Sequence, residues 1–185
     1  MGYRFIEVDQ DVVDATRSDW ERQIEQSDFD FPPWRFLQQL DSAQKWLNGP
    51  VDVAGLGSVH WRAVVPEGNG MAACALVEIS FARTAKADPQ ARLKMLNLRL
   101  SPELDSAGDA SSASLLRVRD ALTTLFEGIL GMTEQQTPAD IIKIFSERDA
   151  DAGFFEMVAI NLNQAENGVS LDVSRHGRWV ELRLQ

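Results

Sequence analysis

Cysteine occurs once in the 185 residues, at Cys74, tyrosine once, at Tyr3, and histidine twice, at His60 and His176. A lone cysteine makes no internal disulfide, and no histidine stands at ligand spacing from it, so no metal site is expected. Inside the apolar run "MAACALVEISFA", Cys74 reads as a small buried hydrophobe. Long apolar stretches are missing too. None approaches the ~20 residues that span a bilayer, and "MGYRFIEVDQDVVD" at the N-terminus has no basic segment ahead of an apolar one. The expectation is a cytoplasmic protein with no membrane partner.

Positive charge is scarce. Against 28 acidic side chains stand 18 basic ones, a formal net charge of −10, which repels nucleic-acid phosphates unless the cations gather on one face. No basic run is visible along the chain, and no nucleic-acid partner is expected. Arg117 and Arg119, in "LLRVRDAL", are flanked by acids and read as a solvated helix face. The catalytic signatures G-x-S-x-G and H-E-x-x-H and the P-loop lysine are absent, and "GLG" at Gly55 to Gly57 lacks the later glycine of a dinucleotide fingerprint.

What is present suffices for one domain over residues 1–185 with its own core. "YRFIEV" has the content of a first strand, and Asp11 is a plausible N-cap for a helix carrying Val12, Val13, Ala15, Trp20 and Ile24. A second helix follows Pro32 and Pro33, with Trp34, Leu37, Leu40 and Trp46 or Leu47 at helical spacing. "VDVAGLGSVHWRAVV", "MAACALVEISFA" and "RLKMLNLRL" read as three strands, and a helix spans about Ser114 to Gly131. "IIKIF" is a short strand, and a helix then runs to Asn167-Gly168. "VSLDVSRHGRWVELRL" is a hairpin turning at "RHG".

Three features could carry function. Glu78 alternates with Val77 and Ile79, so its carboxylate stands opposite an apolar strand face, as a weak candidate general base or as part of a solvated face. His60 is a lone histidine, with no acid, nucleophile or ligand nearby in sequence. Phe29, Phe31, Trp34 and Phe36 crowd together as either a packing cluster or, through Phe29, Phe31 and Trp34, a substrate or partner surface.

Between "RLKMLNLRL" and the following helix lies "SPELDSAGDASSAS", a turn of small residues. With the element order, it resembles the GNAT acyltransferase superfamily, whose pyrophosphate signature R/Q-x-x-G-x-G/A follows the fourth strand. Here "DSAGDA" places Gly108 and Ala110 on the last two positions and Asp105 where arginine or glutamine is expected. The resemblance implies an α+β fold: a mixed, mostly antiparallel sheet with helices on both faces. It also implies that the main chain of Ala107, Gly108, Asp109 and Ala110 meets the coenzyme. A helix cap is the alternative for this turn, because Asp105 and Asp109 are acids able to bind the helix's own N–H groups. The family's leaving-group tyrosine falls on Phe154 and Phe155, which donate no proton.

The expectation is therefore a GNAT-like domain acting as a non-catalytic binding or regulatory module for a protein or small-molecule ligand. The alternative is an acyl-CoA-dependent N-acyltransferase using acetyl-CoA or another acyl-CoA.

Overall fold

The computed structural model describes residues 2–26, 33–49, 59–68, 70–83, 91–105, 112–135, 139–146, 149–164 and 170–184. The elements are β1 (Tyr3–Glu7), α1 (Gln10–Glu25), α2 (Trp34–Asn48), β2 (Val59–Pro66), β3 (Ala75–Arg83), β4 (Ala91–Leu100), α3 (Pro102–Asp105), α4 (Ser112–Gln135), β5 (Ile141–Phe145), α5 (Asp149–Gln164), β6 (Leu171–His176) and β7 (Trp179–Leu184). The strands form one sheet in the order β1-β2-β3-β4-β5-β7-β6. This is the expected mixed α+β sheet. The chain contacts divide into two compact units.

The first unit gathers β1, α1, α2, most of β2, the start of β3, the end of β4, α3 and the first half of α4. Helix α1 is capped by Asp9, whose Oδ1 accepts from the Val12 N–H at 2.9 Å. Asp11, the expected cap, lies two positions further in, in the first turn, where its charge complements the positive helix end. Buried Val12, Val13, Thr16 and Trp20 form the inner stripe of α1. Thr16 Oγ1 accepts from the Ala73 N–H at 2.9 Å, and Trp20 Nε1 donates to the Ala73 carbonyl at 2.8 Å, so one helix satisfies both backbone groups of one residue. The Trp20 ring meets Phe36 of α2 edge to face at 6.0 Å.

Strand β2 is buried on both faces. Arg62 is buried along with Trp61, Ala63, Val64 and Val65, so both faces are covered. Burial of Arg62 is compatible with its charge because Nη1 lies 2.8 Å from Glu7 Oε2 on the paired strand β1. The single turn α3 was not foreseen. Ser101 supplies the carbonyl that accepts from both Leu104 and Asp105 N–H, and Pro102, with its fixed φ, suits the first helical position.

The second unit gathers most of β3 and β4, the second half of α4, β5, α5, β6 and β7. Strand β4 runs parallel to β5, and β5–β7 and β7–β6 are antiparallel. The β6–β7 hairpin turns at Gly177 and Arg178, one residue later than the expected "RHG", with Gly177 taking a φ of 61°. Leu93, Met95, Ile142, Ile144, Val180 and Leu182 are buried on one face of this sheet. Helix α5 contacts β6 and β7. It lies on that same face, since a Cβ at Gly153 would stand 3.5 Å from Nη1 of Arg175, which shares the parity of Val173 and Val180.

Candidate functional site

Strand pairing lays the opposite face of the second unit out in rows. One row reads Lys94, Lys143, Glu181 and Ser174; the row below it reads Arg92, Ile141, Arg183 and Asp172. Above them stand Phe145, Trp179 and His176, with the Phe145 and Trp179 rings 5.0 Å apart and the Arg178 guanidinium 5.0 Å over Phe145. Lys94, Lys143, Phe145, Ser174 and Trp179 are half-buried, and Asp172, His176 and Arg183 are exposed. This is the polar face. Lys143 and Arg183 are the lone basic residues of "IIKIF" and "WVELRL", while Arg92 and Lys94 share "RLKMLNLRL". Only pairing across strands assembles them.

At the upper end of this face the parallel ladder between β4 and β5 stops at Met95 and Ile144. Two residues on, Asn97 adopts a φ of 49°, a left-handed conformation that asparagine tolerates better than most residues. Strict alternation would send Asn97 inward after Leu93 and Met95, yet it is exposed. Such a kink re-aims a side chain. Asn97 Nδ2 donates to Glu78 Oε2 at 2.7 Å. Glu78 is half-buried between Val77 and Ile79, both buried, so it points away from the core as the sequence indicated. The result is a fixed, water-accessible carboxylate near the carboxyl end of a parallel strand pair, the end at which ligands gather in open α/β sheets.

Glu181 anchors the charged rows. It is buried, and it holds Lys143 Nζ at 2.7 Å and Arg183 Nε and Nη2 at 2.9 and 2.7 Å. The hydrogen bond from Lys143 is the main force holding the Glu181 carboxyl below the ordinary range, partly opposed by its burial. A depressed folded-state pKa contributes stability that is complete above the unfolded pKa of ~4.3 and disappears as pH falls through the lower folded value. Glu181→Gln should cost about 1–3 kcal/mol at pH 7, because it leaves two cations with a lost partner. In urea melts across pH, that difference should shrink below about pH 4; a pH-independent difference would assign the loss to packing.

In the first unit, Cys74 is 7 % exposed and its Sγ donates to the Val64 carbonyl at 3.2 Å. Burial pushes its thiol up to about 12, so it is no thiolate at neutral pH. Burial also raises the phenol of Tyr3, the one tyrosine. Arg117 pairs with Glu103 and Arg119 with Asp120, both as part-exposed surface ion pairs. A polar cleft of about 350 Å³ lies among Asp19, Arg22, Gln23, Gln26 and Glu103. Its lining is largely self-satisfied: Gln23 accepts from the Glu103 N–H at 2.9 Å and donates to Asp19, which also pairs with Arg22.

Of the aromatic cluster, Phe36 is fully buried while Trp34 is 56 % exposed, and Phe29 and Phe31 lie outside the described residues. Ala107, Gly108, Asp109 and Ala110 also lie outside them. Asp105 closes α3, and α4 begins at Ser112 with no acidic residue in its first turn. Phe155, where the resemblance would set the family's tyrosine, is 8 % exposed and meets Phe126 at 6.5 Å.

No protein-family model matches the chain, and no curated protein matches it in sequence. Solved structures do. An aminoglycoside N(6′)-acetyltransferase from Legionella pneumophila is similar over 98% of this chain and 90% of its own, with a TM-score of 0.50 at 10% identity. The PaiA N-acetyltransferase from Thermoplasma acidophilum, solved with coenzyme A, is similar over 100% of both chains, with a TM-score of 0.46 at 12% identity. The chain has the fold of the GNAT acetyltransferases.

Proposed function

We propose that the protein is an acyl-coenzyme A-dependent N-acyltransferase whose base is Glu78. The observation that carries this reading is the Glu78 carboxylate, fixed by Asn97 at the point where the β4–β5 ladder ends. An amine acceptor arrives as an ammonium, and Glu78 takes the proton that frees its lone pair. Asn97 keeps one carboxylate oxygen oriented while the other faces the acceptor. The acyl donor, when bound, supplies an activated thioester carbonyl; the C–N bond forms as the C–S bond breaks, and coenzyme A leaves as a thiolate that takes up the second proton the nitrogen sheds. The resemblance assigns the pyrophosphate to Ala107, Gly108, Asp109 and Ala110, just ahead of α4. The 24-residue α4 suits that role, since no acid in its first turn offsets the positive helix end.

A second reading has a specific observation in its favour. Phe155 is packed against Phe126 where the family's acid would stand, which suits a module that binds an acyl donor or a partner without turnover. On that reading the exposed Trp34, with Phe29 and Phe31, is the partner surface. Calorimetric titration with acetyl-CoA and with free coenzyme A, followed by thiol release in the presence of amines, separates the two. Binding with turnover is expected. Binding alone supports the second reading, and no heat or thermal shift at millimolar ligand contradicts both as acyl-CoA proteins.

A further inference from the structure

We infer that the polar face of the second unit holds a binding site for a phosphate monoester carried on a flat aromatic or heterocyclic ring. This site is independent of the acyltransferase reading. Strand register sets its parts on neighbouring strands of one face. Lys94, Lys143 and Glu181 stand side by side on β4, β5 and β7, and the next row holds Arg92, Arg183 and, on β6, Asp172. Lys94 and Lys143 are direct partners, and like charges opposite each other on neighbouring strands repel. Glu181 compensates Lys143 and Arg183. Among the described residues no carboxylate pairs with the half-buried Lys94. Elsewhere in this chain of net charge −10, Arg17, Arg22, Arg117 and Arg119 each hold one.

The two rows bring four cations to two carboxylates, which leaves the face with a surplus of two positive charges. A phosphate monoester matches that surplus, since it is close to a dianion at neutral pH and offers three strong acceptor oxygens. A carboxylate or a sulfate ester brings a single charge. One row above Lys143 and Glu181, about 7 Å along the strands, stand the half-buried Phe145 and Trp179. Their rings are 5.0 Å apart, and the Arg178 guanidinium lies 5.0 Å from the Phe145 ring. A ring laid against this aromatic pair brings its ester phosphate to Lys94 and Lys143, the two lysines on the adjoining row.

The probe is phenyl phosphate. It is compared with phenyl sulfate, which has the same shape and one charge fewer, and with inorganic phosphate, which lacks the ring. Each is titrated by NMR into the ¹⁵N-labelled protein at neutral pH without any acyl donor, so the outcome does not depend on turnover. Phenyl phosphate is expected to bind about fivefold more tightly than phenyl sulfate, the worth of one more charge at close contact. It should also bind more tightly than inorganic phosphate, and it should shift the Trp179 indole and the backbone signals of Lys94, Lys143 and Phe145. Lys94→Ala should erase the preference over phenyl sulfate, and Lys94→Arg should retain most of it. Trp179→Leu should erase the preference over inorganic phosphate; should that variant not fold, the wild-type comparison and the Lys94 variants decide. Equal affinities for the three probes, no binding of phenyl phosphate at millimolar concentration, or a preference over phenyl sulfate that survives Lys94→Ala overturns the inference. The titration is then repeated with millimolar coenzyme A present. An unchanged affinity for phenyl phosphate supports a site of its own; loss of binding hands the face to the coenzyme and overturns the inference while leaving the acyltransferase reading in place.

Discussion

Glu78→Gln is expected to lower kcat for acyl transfer by about 10²–10⁴-fold, the range over which a positioned base contributes. The amide keeps the shape and can still meet Asn97, but it accepts no proton from an ammonium. Because Glu78 is half-buried and bonded at its tip, the melting temperature should change little. The diagnostic readout is kcat measured beside acetyl-CoA affinity: kcat should fall while the affinity for acetyl-CoA stays at the wild-type level. A variant with wild-type kcat would return Glu78 to the solvated strand face that its alternation also allowed.

Trp20→Ala should be the most destabilising single change in the first unit. Trp20 is fully buried, meets Phe36 edge to face at 6.0 Å and donates its indole N–H to the Ala73 carbonyl. Removing the ring leaves a large cavity and an unpaired carbonyl, a loss of about 3–5 kcal/mol. For a chain of this length that corresponds to a drop in Tm of roughly 10 °C. Trp20→Phe separates the two contributions, since it restores most of the volume and leaves only the carbonyl without its donor, about 1–3 kcal/mol. Circular dichroism melts of both variants check the order; equal losses would mean that the hydrogen bond outweighs the ring.

Much of the fold was legible because its helices and strands are locally consistent. Val12, Val13 and Trp20 announce α1 by spacing, and "IIKIF" announces β5 by apolar content. The misses have physical causes. Asp9 and Asp11 are both competent caps, and the choice depends on where the chain leaves β1 and enters the helix. The burial of Arg62 has no local signal, because its neutralising partner, Glu7, belongs to another strand. The site was legible only in part. Glu78 was readable as a carboxylate opposite an apolar face, but the residue that fixes it, Asn97, signals itself only through a positive φ inside a strand. Lys94, Lys143 and Arg183 escaped notice because they stand in three different strands, and register alone brings them to one face.

The central claim is that acyl chemistry takes place where the β4–β5 ladder ends, beside Glu78 and Asn97. Titrating acetyl-CoA into ¹⁵N-labelled protein tests it most directly. Progressive shifts of the Leu96, Asn97, Leu98 and Phe145 backbone signals, and of the Asn97 side-chain amide, are the predicted result. Saturable binding that leaves all of those signals in place would contradict it.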